Sequence, residues 1–106
     1  AEANAFELSQ TALFACDAEG RIRECNETFV LLFGLKDVED ARGHVFADFM
    51  DDDPLPANFK KALAGETTVT GIVAEGEDEQ EELEIVLGPN QIGRKIDGIV
   101  GSILKT

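Results

Sequence analysis

Apolar positions recur along this chain with two different periods, and the changes of period mark out its elements. Residues 5–10 have weak helical character and lead into residues 12–17, a short apolar run of the kind a buried strand makes. Glu19 and Gly20 make a turn, and residues 21–25 then alternate polar and apolar, as a strand with one solvated face does. At Asn26 the period changes. Asn is a favoured helix N-cap, Glu27 follows in the first turn, and Phe29, Leu32 and Phe33 fall on one helical face that ends at Gly34. Lost capping alone would make Asn26→Ala cost about 1 kcal/mol. A further helical turn is expected over residues 37–41, and a compact apolar turn holds Val45, Phe46, Phe49 and Met50. Acidic Asp51, Asp52 and Asp53 ahead of Pro54 fit a helix start. Leu55, Phe59, Ala62 and Leu63 form the inward stripe of that helix, and Gly65 stops it.

Beyond Gly65 the period drops to two. Residues 67–75 are β-branched and strand-like, residues 76–82 read as a solvated acidic hairpin loop, and Leu83, Ile85 and Leu87 alternate with Glu82, Glu84 and Val86. Residues 88–93 read as another turn. The last strand, residues 94–104, is apolar in both phases: Ile96, Val100 and Leu104 in one, Ile99 and Ile103 in the other. A strand apolar on both sides is covered on both sides. One face should meet the core and the other a flanking helix or a partner subunit.

Charge narrows the partners. The 106 residues carry 22 acidic and 9 basic side chains, a net charge of −13. Such a surface repels phosphate backbones and anionic headgroups, so neither nucleic acid nor direct membrane contact is expected. No window approaches the ~20 apolar residues of a membrane span. The length suits one domain, expected to be excised from a larger protein. The two cysteines, Cys16 and Cys25, flank the first turn. In a hairpin with a short loop Cys25 is offset by about 7–10 Å along its strand. That is beyond the reach of a disulfide. Buried, unbridged thiols in a reducing, cytoplasmic compartment are expected.

The order of strand, strand, short helices and three strands, with its landmarks, resembles the PAS domain family over nearly the whole chain. The resemblance rests on Phe14, Asp17, Gly20, Arg21, Ile22, Asn26, Phe29, Phe33 and Gly34: an apolar strand, Asp-x-x-Gly, a basic residue and Ile, then Asn, then an aromatic helix closing on Gly. Gly43 before an apolar turn and the final run from Gly98 to Leu104 are similar to later family landmarks. Two places depart from the pattern. The family's frequent closing Asp-Ile-Thr, which couples to an output helix, is replaced by Leu104, Lys105 and Thr106, and the step at residues 51–54 is unusually acidic.

The resemblance implies an α+β fold, a five-stranded antiparallel sheet with short helices on one face. It implies a sensory or input domain of a signal-transduction protein such as a two-component system, joined to an output domain. It also implies a cavity between the sheet and the helices. Phe14, Phe29, Phe33, Phe46, Phe49, Met50, Phe59, Leu63, Ile85 and Leu87 are its candidate lining, either filling the core themselves or receiving a small apolar or planar ligand. The cofactor is not identified. The region of residues 44–50 lacks the Cys that forms the flavin adduct in light-sensing members. Residues 55–64 lack the His that holds haem in others, leaving only His44, ahead of the helix. Asp17 and Asn26 are expected to serve the fold. No nucleophile elbow, no phosphate-cradling Gly loop and no His paired with Ser9 or Ser102 suggests an enzyme. The alternative is a ligand-free dimerisation module, in which the last strand and Ala5, Phe6 and Leu8 make a homodimer face.

Overall fold

The computed structural model describes residues 11–49, 54–75 and 80–105. Met50, the N-terminal segment 1–10, the acidic step 51–53 and most of the acidic connection lie outside the described residues. Five antiparallel strands form one sheet: β1 (Ala12–Cys16), β2 (Ile22–Cys25), β3 (Thr68–Glu75), β4 (Gln80–Ile92) and β5 (Lys95–Lys105). Their order across the sheet is β2-β1-β5-β4-β3. Between β2 and β3 the chain makes α1 (Glu27–Leu32), α2 (Val38–Arg42), a short 3-10 turn (Phe46–Asp48) and α3 (Leu55–Leu63).

The helices cover one face because alternate strand residues there are apolar. Ala12, Phe14 and Cys16 of β1, Ile85 and Leu87 of β4, and Ile99 and Ile103 of β5 are all buried. They share one core with Phe29 of α1, Phe46 of the 3-10 turn and Leu55 and Ala62 of α3. Phe14 stands opposite Gly101 in the β1–β5 register. A Cβ on Gly101 would lie 2.3 Å from the Phe14 ring, so the glycine supplies the room for that ring.

Local chemistry sets the joints. Asp17 Oδ1 accepts from the backbone N–H groups of Glu19 and Arg21, both at 2.9 Å, closing the β1–β2 turn. Asn26 Oδ1 accepts from Phe29 N–H at 3.0 Å and starts α1. Asp37 caps α2 in the same way, through Asp40 N–H at 2.9 Å. The helical layer is tied back to the turn, with Phe46 N–H donating to Gly20 O and Ile22 N–H to His44 O.

Two sequence readings are corrected. No turn breaks the chain at residue 88. β4 runs on through Gly88 and Pro89 to Ile92, with a register irregularity between Pro89 and Gln91. Pro89 cannot donate to a ladder, and an irregularity is where a strand tolerates it. The reversal comes at Gly93, whose φ of 63° turns the chain into β5. Nor do Ile96 and Val100 share a face. Ile96 lies beside Gly65, at the end of α3, while Val100 is exposed on the other side. Alternation is interrupted at Gly98, whose φ is 141°. Of the cover expected for β5, the core side is met by Ile99 and Ile103, which are buried; on the other side Val100 and Leu104 stay 43% and 40% exposed, without the expected flanking helix among the described residues.

Candidate functional site

The phenylalanines that the sequence singled out come together. Phe14 contacts Phe29 at 5.3 Å between ring centroids and Phe46 at 5.9 Å. Phe29, Phe33 and Phe49 form a triangle with sides of 4.7, 4.8 and 5.4 Å. Phe46 meets Phe59 at 5.1 Å. Six rings thus run unbroken from α1, across β1 and the 3-10 turn, to α3. Such tilted and edge contacts suit the ring quadrupole and add to the area they bury. Ile85 and Leu87 are buried on the sheet beneath, and Leu63 packs against the same core half-buried.

Phe46 and Phe59 also form the floor of a groove on the surface. A cavity of about 260 Å³ lies between the β1–β2 turn (Glu19, Gly20), the 3-10 turn (Val45, Phe46, Ala47) and α3 (Pro56, Phe59, Lys60). Its depth depends on Gly20, which has φ of 89° and stands 3.6 Å, at the Cβ position, from the Phe59 ring. One end of the ring chain therefore reaches solvent. Glu19 and Lys60 put opposite charges on the rim.

A polar group that the sequence reading passed over lies in α3. Asn58 is 5% exposed and belongs to the helix face that buries Leu55 and Ala62. Its Nδ2 donates to Thr70 Oγ1 on β3 at 2.6 Å. The available signal was its position three residues after Leu55, a polar residue within an apolar stripe. Thr68 lies two residues before Thr70 on the same side of the strand. Its Oγ1 is shielded from solvent without a hydrogen-bond partner among the described residues.

Other candidates have structural occupations. His44 Nδ1 lies 3.1 Å from Asp48 Oδ2, and its ring packs against Phe49. The Val45 backbone N–H and His44 together hold the Asp48 carboxyl below the usual aspartate range. Cys16 and Cys25 are both buried and not bridged, because Cys25 stands opposite Phe14 and Cys16 opposite Ile22. Burial, reinforced by the Asp17 charge, pushes the Cys16 thiol up to about 12, far from a reactive thiolate. Partial burial pushes Asp17 up, but the backbone N–H groups of Arg21 and Glu19 and the Arg21 side chain outweigh it and hold its carboxyl low. Asn26 proves to be more than a cap. It is fully buried, its Oδ1 also accepts from Leu13 N–H, and its Nδ2 donates to Thr11 O. Among the described residues, no group of three or more His, Cys, Asp and Glu side chains converges as a metal site. None of the described helices is long and apolar enough to cross a membrane.

The opposite face of the sheet carries exposed apolar side chains among charged ones, with Glu82 opposite Val73 and Glu84 opposite Leu104. Val69, Val86, Ser102 and Leu13 follow one another across four strands in a single cross-strand row. Val69 and Val73 are 63% and 54% exposed there, beside Val100 and Leu104.

This architecture, with a ring-filled layer between sheet and short helices, is that of a PAS domain. The PAS fold family model matches residues 6–104, and the chain belongs to that family. The PAS domain of a protein from Colwellia psychrerythraea superposes with a TM-score of 0.77 at 18% identity, covering 96% of this chain and 91% of that one. The PAS domain of nitrogen regulation protein NR(II) from Vibrio parahaemolyticus gives a TM-score of 0.74 at 17% identity, covering 96% and 94%. The Vibrio cholera VqmA–ligand–DNA complex gives 0.78 at 15% identity; it covers 95% of this chain but 48% of VqmA, so the chain spans about half of that protein. At these identities the likeness shows the fold. No curated protein matches the chain in sequence.

Proposed function

We propose that this domain is the sensory input of a longer, cytoplasmic signal-transduction protein, and that it holds a small apolar or planar molecule in its aromatic layer. One observation carries this reading: the ring chain ends in a groove, so the buried aromatic layer has an approach from solvent. Phe46 and Phe59 stand at the mouth. Phe14, Phe29, Phe33, Phe49, Leu63, Ile85 and Leu87 supply the apolar surroundings within, and Met50 belongs to the same candidate set. VqmA, about half of which superposes on this chain, has been solved with a ligand. A bound molecule shifts the domain only through a difference in affinity between two packings of the layer. The domain would report a ligand to an output domain rather than transform it. Neither a flavin adduct nor haem enters this reading.

A second reading has its own observation. The exposed apolar side chains of the outer face, Val69, Val100 and Leu104, suit a homodimer contact, and the domain could signal by pairing alone. Native mass spectrometry of the purified domain, with an absorbance spectrum of the same sample, separates the two. Excess mass or a visible band supports the ligand sensor. A clean apo mass together with a dimer at low micromolar concentration overturns it in favour of pairing.

A further inference from the structure

We infer that Thr68, with Thr70 and Asn58 beside it, is the polar anchor of the ligand site, and that the ligand is a neutral molecule with one hydroxyl or carbonyl group on an apolar body. This rests on the proposed ligand-sensing role and specifies its chemistry.

Thr68 is a partly buried residue whose Oγ1 is shielded from solvent and has no hydrogen-bond partner among the described residues. Buried polar atoms almost always find partners, and those that do not call for a specific reason. A chain selected for stability alone would place Val here, which has the same shape and suits a strand. The neighbourhood is arranged around the hydroxyl. Thr70, two residues along the same side of β3, accepts from buried Asn58. That bond fixes Asn58 and leaves the Thr70 hydroxyl hydrogen to be donated elsewhere. Thr68 and Thr70 therefore present two hydroxyls about 7 Å apart along the strand. In the β3–β4 register Thr68 stands opposite Leu87 and Thr70 opposite Ile85, two buried members of the apolar layer. A ligand body against Leu87 and Ile85 would bring a polar end to Thr68.

The charge of the ligand follows from what is missing nearby. The buried polar residues among those described are Asn26 and Asn58, both neutral, and Asn26 belongs to the other end of the sheet. An ion entering this layer would leave water without a counter-charge, which is prohibitive. A neutral group able to donate to or accept from a hydroxyl meets no such penalty.

Three probes of one size test the inference: phenol, toluene and benzoate. Binding is read from amide chemical-shift changes in 1H–15N spectra of the whole chain, at Asn58, Thr68, Thr70 and Leu87. Phenol should bind at least five-fold more tightly than toluene, and benzoate should not bind. Thr68→Val should remove the phenol preference while leaving toluene binding unchanged, and should raise Tm. Thr68→Ser, which keeps the hydroxyl, should restore the preference. Equal binding of phenol and toluene to the wild type, or a preference unaffected by Thr68→Val, overturns the anchor but leaves the apolar site standing. Absence of binding by all three probes overturns the ligand site itself, and the anchor with it.

Discussion

Asn26 shows how far one side chain can reach. In sequence it is a helix N-cap, and capping alone is worth about 1 kcal/mol. In the folded chain its Oδ1 accepts from both Phe29 and Leu13, and its Nδ2 holds Thr11 O, all with the residue fully buried. Truncation would take the acceptor from the Phe29 and Leu13 N–H groups and the donor from Thr11 O, with a cost of about 1–3 kcal/mol for a donor left buried without a partner. Asn26→Ala should therefore destabilise by about 2–4 kcal/mol, a fall in Tm of roughly 10–20 °C by thermal unfolding. A fall of only a few degrees would mean that water replaces the contacts to β1. Cys16 makes the opposite point. Arg21 and Arg23 are near in sequence, but burial governs the thiol and keeps it protonated, as the apolar run around it leads one to expect.

Among the elements, β5 has the strictest demands. It is paired on both sides, with β1 and β4, so its backbone has no freedom to move away from a clash. At Gly98 a Cβ would lie 2.0 Å from the Cys16 carbonyl oxygen, in a backbone conformation that L side chains rarely adopt. Gly98→Ala must move β5 away from β1, at a cost of about 3 kcal/mol or more. Denaturant unfolding should show a matching drop in midpoint at an unchanged slope. Equal stability would mean that residues 97–98 can rearrange without disturbing the ladder. The same glycine explains why the two apolar phases of β5 could not be extended through its whole length. β4 behaves differently. Gly88 and Pro89 read locally as a turn, yet pairing with Val100 and Ile99 of β5 keeps the chain extended, beyond the end of the ladder with β3.

At the scale of the molecule, charge and depressed carboxyl groups pull in opposite directions with pH. A net charge of −13 disfavours the compact state by self-repulsion, which weakens as carboxylates protonate. Asp17 and Asp48 have carboxyls held below their ordinary range by hydrogen bonds made in the folded chain. A group lowered on folding gives its full stability above its unfolded value, about 3.9 for Asp, and loses it as pH falls through its folded value. Tm should rise from pH 7 to about pH 5 and fall below about pH 4. The rise should vanish in ~1 M salt, where repulsion is screened beyond a few ångströms. A Tm that falls steadily from pH 7 would show that repulsion does not limit stability.

The sequence by itself determined the order of the elements, though not the full length of β4, because strand and helix periods, the Asp17 turn and the Asn26 cap are local. It also picked out the aromatic residues, since six phenylalanines on inward phases have few places to go but one core. Only the tertiary structure decided where the rings open to solvent, since the groove joins a turn, a 3-10 helix and α3 from distant parts of the chain. It alone placed Asn58 against Thr70 and left the Thr68 hydroxyl without a partner among the described residues. Hydrogen-bond satisfaction is a property of three-dimensional neighbours, and no period along the chain records it.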